Sequence, residues 1–266
     1  MSASSPKSSG ETRPRLALDP GIRARIGEKR YHLIKLWVQD VNGVVDAAIA
    51  PHIGGHSRVL DAGSSRGDPD LPSLAGAYQS VACDADLAGL RANSLVRDRV
   101  AGFLEKLPFR NESFDLVVCK FVVEHLAAPL AAFREFWRVL RPGGVVAVLT
   151  PNRWSAFAWL SSLIPYRVRR LFKKSLFGGH EEDTFATLYR ANTRRRLNRT
   201  MQEAGFALEG MRMLAGMWAF FIFSRPLALA VRSFERLQAR IPLVQDACTY
   251  ILGVWRKPVL EGGRAA

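Results

Sequence analysis

The stretch Val59–Asp68 (VLDAGSSRGD) places an acid and two glycines at close spacing: Asp61, Gly63 and Gly67, with Ser65 between the glycines. An apolar run entering a glycine-bearing turn is how a backbone comes close to a nucleotide-like ligand. A dinucleotide fingerprint starting at Gly63 needs glycines where Ser65 and Asp68 stand, and RGDPD is not the GK[ST] ending of a phosphate-binding loop. A second candidate is His125, beside Glu124. An imidazole can take a proton near neutral pH, or the pair can simply hold its loop. The third is HEEDTFATLYR, His180 to Arg190, whose acids and Tyr189 could line a pocket or form a solvated turn. Cys83, Cys119 and Cys248 are scattered, with no CxxC pair. That spacing suggests neither a disulfide framework nor a zinc site, and a reducing cytoplasm fits it.

The elements that must position these residues follow from apolar spacing. Ile34, Trp37, Val38, Val41, Val44, Val45 and Ala48 recur at helical intervals from Glu28 to Ala50, before Pro51, Gly54 and Gly55. Strand-like runs then alternate with helix-like ones. Strands are predicted over Arg58–Asp61, Ser80–Asp84, Val100–Phe103, Phe114–Cys119 and Val145–Leu149, and helices over Asp70–Ala77, Asp86–Leu95 and Pro129–Leu140. In the last helix Phe133, Phe136, Trp137 and Leu140 share a face, Pro129 suits its first turn, and RPGG is expected to end it. VVAVL is then a run typical of a parallel strand buried on both sides. This alternation predicts a doubly wound α/β sheet. Beyond Thr150, a capped helix starts at Asn192 or Thr193 with Gly205 just past its end, and GFALEGMRML reads as a strand.

The order of the motifs is similar to that of the class I S-adenosylmethionine-dependent methyltransferases, in the manner of a methyltransferase type 11-like domain. Asp61, Gly63 and Gly67 match the Asp-x-Gly-x-Gly-x-Gly of that family's first motif, from which only Ser65 departs. Asp84 closes the second strand 23 residues after Asp61, where an acid accepts hydrogen bonds from a ribose diol. LEKLPFRNESFDLVV, FVVEHL and FREFWRVLRPGGVVAV resemble the segments that follow, so the likeness covers about Val59 to Asn152, and ANTRRRLNRTMQEAGF extends it. The resemblance implies a Rossmann-like sheet of seven strands. Its last strand, for which CTYILGVWR is the candidate, lies antiparallel between the fifth and sixth. It also implies S-adenosylmethionine held by Asp61, Gly63, Ser65, Gly67 and Asp84, with backbone or apolar contact from Phe103 and Leu104, and His125 as a candidate base facing the acceptor. Relatives often carry an acid where Phe103 stands and a small polar residue where Lys120 stands. A cation near a sulfonium is unfavourable, so the Lys120 side chain is expected to point away. EHL also resembles quinone-pathway O-methyltransferases, whose metal-binding versions have an acid at the position of Phe121. No metal is expected.

The formal net charge of +14 fits either an arginine-rich proteome or an anionic partner. No nucleic-acid partner is expected, because KFVVEH stands where amino-methylating DNA enzymes carry an Asn/Asp-Pro-Pro-aromatic motif. Residues 1–27 read as a disordered tail without a secretory h-region, residues 28–258 as one domain with insertions near 151–186 and 214–245, and residues 259–266 as a second tail. YRVRRLFKK and MLAGMWAFFIFS pair cations with aromatics and are too short to span a bilayer. They fit a lid, a peripheral membrane contact or core packing. The expected function is O-methylation of a small apolar, lipid-like, glycan or natural-product acceptor by a cytoplasmic protein, free or membrane-associated. The alternative is a catalytically degenerate cofactor-binding regulator of the same fold, motivated by Ser65, Phe103 and Lys120.

Overall fold

The computed structural model describes residues 28–67, 71–77, 79–155, 186–221, 224–242 and 244–259. Helix α1 (Glu28–Ile49) runs as its periodicity predicts and gives way to a 3-10 turn at Ala50–His52. The strands are β1 (Arg58–Ala62), β2 (Gln79–Asp84), β3 (Asp98–Ala101), β4 (Phe114–Lys120), β5 (Leu140–Pro151), β6 (Ala207–Leu214) and β7 (Tyr250–Arg256). They form one seven-stranded sheet in the order β3-β2-β1-β4-β5-β7-β6. β1 to β5 are parallel, and β7 is antiparallel to both β5 and β6. CTYILGVWR therefore supplies the inserted last strand.

Alternation along the strands divides the core into two layers. Val59, Leu116, Val118, Ala147 and Leu149 face Val41, Val45 and Ile49 of α1. Leu60, Val117, Val146 and Val148 face the opposite layer, built by Phe133 and Phe136 of α3 (Pro129–Val139) and by Leu197 and Met201 of α4 (Arg194–Glu203). Each such side chain, fully buried, contributes about 1.5–3 kcal/mol. Thr193 caps α4 by accepting from the Arg196 N–H at 3.3 Å, and Gly205 takes φ +100° beyond its end, as its sequence predicts.

Four expectations are corrected. The helix expected over 70–77 is a 3-10 turn, Pro72–Gly76, whose five residues are too few for an amphipathic face. The helix expected over 86–95 shortens to α2 (Leu87–Ala92), capped by the Asp86 carboxylate. β3 starts two residues earlier than its apolar run, because the polar pair Asp98 and Arg99 already aligns with Val81 and Ala82 of β2. α3 ends at Val139, two residues before RPGG, and Leu140 and RPGG itself already belong to β5, with a register shift opposite Phe114 to Leu116.

The apolar stretch after β6 belongs to the core where it is described. Trp218, in the 3-10 turn Met217–Phe221, is fully buried against Leu33 and Ala228. Glu235, on α5 (Arg225–Gln238), is buried and accepts from the N–H groups of Gly216, Met217 and Trp218 at 3.0–3.1 Å and from the Thr249 hydroxyl at 2.7 Å. Arg232 grips the Asp40 carboxylate of α1 through two bonds of 2.6 and 2.9 Å. YRVRRLFKK lies outside the described residues. Among the described residues no helix is long and apolar enough to cross a membrane.

Candidate functional site

Parallel strands deliver β1, β2, β3 and β4 with their carboxyl ends at one edge of the sheet, and the sequence-predicted residues collect there. The turn after β1 is tight: the Gly63 N–H donates to the Cys83 carbonyl at 2.7 Å and the Gly67 N–H to the Ser64 carbonyl at 2.7 Å. Gly63 sits at φ +79°, and a Cβ there would lie 2.2 Å from a methyl of Val122. Gly67, at φ +84°, would meet the Asn93 side chain at 2.7 Å. Only glycine fits either position without moving a neighbour. Ser65 also takes a left-handed conformation, φ +39°, so serine occupies a glycine's backbone state. Its N–H donates to Asp84 Oδ2 at 2.8 Å. The buried Ser64 hydroxyl has no hydrogen-bond partner within the turn.

Asp84 links this turn to the next loop, because its Oδ1 accepts from the Asp86 N–H at 2.8 Å. Each carboxylate oxygen keeps a second lone pair for a ligand. Phe103, just after β3, is 71% exposed, while Leu104 is buried in the core. Phe103 therefore presents a free ring at the site edge, and Leu104 has only its backbone to offer. Asp61 is buried on the α1 side of β1. The Lys120 ammonium turns to Asn42 Oδ1 of α1 at 2.7 Å.

Beyond β4, Phe121 holds φ +58° and leads into the 3-10 turn Val123–His125. His125 Nδ1 lies 3.1 Å from the Ala186 carbonyl. Donation from Nδ1 to that carbonyl leaves Nε2 as the lone-pair nitrogen. Nε2 is 4.0 Å from Glu124 Oε1. Glu124 is buried, and burial pushes its carboxyl above the ordinary range, against the opposing pull of hydrogen bonds and of His125. The Thr150 hydroxyl donates to Glu124 Oε2 at 2.9 Å and accepts from Asn192 Nδ2 at 2.5 Å. The N–H groups of Leu188 and Tyr189 donate to the Glu124 carbonyl at 2.7 and 3.1 Å. The chain thus brings residues 186–190 of the third candidate segment onto the His125 turn, while residues 180–185 lie outside the described residues.

Sequence reasoning missed Val122, Thr150 and Asn192. Val122 is the methyl-bearing roof that makes Gly63 obligatory, and Thr150 and Asn192 orient Glu124 from two other elements. No local signal marks them, since they meet Glu124 and Gly63 only through the fold. The Cys119 thiol reports the field at the site: burial pushes it well above its ordinary range, and the charges of Glu124, Asp61 and Asp84 push it further. The charges of Asp61 on β1, Asp84 on β2 and Glu124 in the turn after β4 therefore all reach the carboxyl half of β4. Among the described residues no group of three or more His, Cys, Asp or Glu side chains is placed to hold a metal ion.

Residues 60–148 match the family model described as a methyltransferase domain. The chain is 33% identical over 153 residues to the demethylmenaquinone methyltransferase of Roseiflexus sp. (strain RS-1), covering 50% of this chain and 63% of that protein. It is 33% identical over 179 residues to the demethylmenaquinone methyltransferase of Roseiflexus castenholzii, covering 57% of this chain and 74% of that one. Among solved structures, an S-adenosylmethionine-dependent methyltransferase from Mesorhizobium loti superposes with a TM-score of 0.54 at 18% identity, over 82% of this chain and 99% of that one. The sheet order, the turn after β1 and these likenesses agree that the chain belongs to the class I S-adenosylmethionine-dependent methyltransferases.

Proposed function

We propose that this protein transfers a methyl group from S-adenosylmethionine to an apolar, lipid-like acceptor presented beside His125. The observation that carries the reading is the cradle after β1: two glycines that tolerate no Cβ, a buried unpartnered Ser64 hydroxyl, and Asp84 oriented by two backbone N–H groups. These fit the cofactor. The turn Gly63–Gly67 would face its aminoacyl end, Asp84 its ribose hydroxyls and Phe103 its adenine, with backbone contact at Leu104. Asp61, Asp84 and Glu124 supply negative potential suited to a cationic ligand. When bound, the sulfonium supplies an activated methyl group with a good leaving group. The rest of the catalysis is positioning by this chain's residues. Where the acceptor is a hydroxyl, His125 Nε2 takes its proton while Nδ1 stays on the Ala186 carbonyl.

The relatives named demethylmenaquinone methyltransferase support a small, lipid-like acceptor. The outer face of α5 supports delivery from a membrane surface. Leu227, Phe234 and Leu237 are 41%, 63% and 58% exposed, and Arg225, Arg236 and Arg240 are exposed beside them. Calorimetry with S-adenosylmethionine tests the core of the proposal. Gly63→Val and Asp84→Ala should each weaken binding at least tenfold, roughly 1.4 kcal/mol. Unchanged affinity in both variants, with folding intact, removes the cradle from the site. Isotopically labelled cofactor incubated with a lipid extract should label an acceptor, and His125→Ala should slow that labelling without altering cofactor affinity.

A further inference from the structure

We propose that the cleft between the start of α3 and the first turns of α4 binds a phosphate or diphosphate group. The cleft has a volume of about 670 Å³. Arg190, Arg195, Arg196 and Arg199 line one side, and Ala127 to Leu130 the other. Its one carboxylate, Glu203, is already held by Arg199 at 2.9 Å. Elsewhere this chain matches its arginines closely to acids: Arg138 to Glu135, Arg141 to Asp115 and Arg232 to Asp40, all within 2.7 Å. Arg190, Arg195 and Arg196 have no such match among the described residues. Several guanidinium groups around one concavity hold positive potential that a compact polyanion relieves, and their forked donors fit phosphate oxygens in pairs.

The position of the cleft gives that anion a role. Ala127 follows His125 by two residues, and Arg190 follows Tyr189, whose N–H holds the Glu124 carbonyl. The cleft therefore opens next to the proposed base, at the carboxyl edge of the sheet. This inference rests on methyl transfer at His125 and names the polar end of the acceptor: a phosphate or diphosphate ester, carried by a membrane lipid or by a soluble molecule. The alanines and Leu130 of the opposite wall would take the first carbons beyond the ester.

The test is titration of the full chain with inorganic pyrophosphate at low salt. Saturable one-site binding is expected. The triple variant Arg190→Ala, Arg195→Ala, Arg196→Ala should weaken it at least tenfold with S-adenosylmethionine affinity unchanged, and the control pair Arg110→Ala, Arg225→Ala should leave it intact. Absence of saturable binding, or equal weakening by the control pair, overturns the proposal. Two further probes separate the sources. Phosphatidic acid in phosphatidylcholine vesicles, released from the protein by pyrophosphate and bound more weakly by the triple variant, indicates a lipid headgroup. Octyl phosphate competing with pyrophosphate, while vesicles distinguish nothing between wild type and triple variant, indicates a soluble ester. Cofactor binding without pyrophosphate binding defeats the cleft alone, whereas pyrophosphate binding without cofactor binding defeats the methyltransferase reading.

Discussion

Replacing Ser65 by glycine asks whether the turn after β1 needs this side chain or only its backbone. Serine at φ +39° carries the left-handed penalty of an L-residue, about 1–2 kcal/mol. Glycine removes that penalty but has more freedom to lose on folding, which costs roughly 0.4–1 kcal/mol. The net effect of Ser65→Gly is a gain of about 0–1.5 kcal/mol. At roughly 2–4 °C per kcal/mol for a domain near this size, the melting temperature should stay level or rise by up to about 6 °C. The bond that positions Asp84 comes from the backbone N–H at residue 65 and survives the substitution. The lost hydroxyl lies against Gly89, where an added Cβ would come within 2.6 Å of it, and accepts no hydrogen bond among the described residues. Cofactor affinity should therefore change by less than about threefold, and activity should stay within about an order of magnitude. Scanning calorimetry and isothermal titration on wild type and variant measure both. A drop in melting temperature, or a tenfold loss of affinity (roughly 1.4 kcal/mol), would refute the reasoning by showing that the hydroxyl itself holds the turn or the ligand. Cofactor binding that appears only in the glycine variant would instead favour the degenerate regulator.

Three further outcomes are expected. Burial raises the Glu124 carboxyl, so the folded state holds its proton to higher pH than the unfolded chain does. The stability this contributes is full below the ordinary value near 4.5 and is lost as pH rises through the raised one. Urea melts across that window should show wild type losing stability relative to Glu124→Gln, and parallel curves would refute the assignment. Glu235→Ala strips the acceptor from three buried N–H groups and one hydroxyl, and should cost at least about 3 kcal/mol by urea denaturation; a loss under about 1 kcal/mol would mean that another group satisfies them. Co-sedimentation with anionic vesicles should be salt-sensitive and weakened by Leu227→Ser, Phe234→Ser and Leu237→Ser together; binding equal to wild type would clear α5 of a membrane role.

The sheet was legible because each parallel strand reads as a compact apolar run and the motifs follow the family's order. Even β7 could be placed, since the fold that the motifs imply leaves one slot for CTYILGVWR. Edges and short turns were less legible. β3 pairs on one side only and begins with polar Asp98 and Arg99, so its hydrophobic signal starts late. Asp61, Gly63, Gly67, Asp84 and His125 were visible because spacing and residue type carry their chemistry. The φ of Ser65 was not, because serine is compatible with either sign until the turn closes. Thr150 and Asn192 stand 42 residues apart and reach Glu124 only in the folded chain. The helix α5 inverts the usual inference: it buries Ala228 and Glu235 and exposes Leu227, Phe234 and Leu237, because the three N–H groups of the preceding turn need a carboxylate more than the core needs another leucine.

The place of β7 also governs the order in which the molecule can be assembled. β5 and β6 are not neighbours; the strand between them comes last of the seven in chain order. Until Tyr250–Arg256 is synthesised, β5 presents the unpaired edge of an almost wholly apolar strand, and β6 has no partner among the described strands. Such an edge is a template for pairing with another chain, and closing it requires contacts distant in sequence, which form slowly. Nascent chains stalled before residue 250 should therefore be held by chaperones or aggregate, and completion of the last strand, not of the cofactor cradle, should mark the point at which the domain becomes resistant to protease.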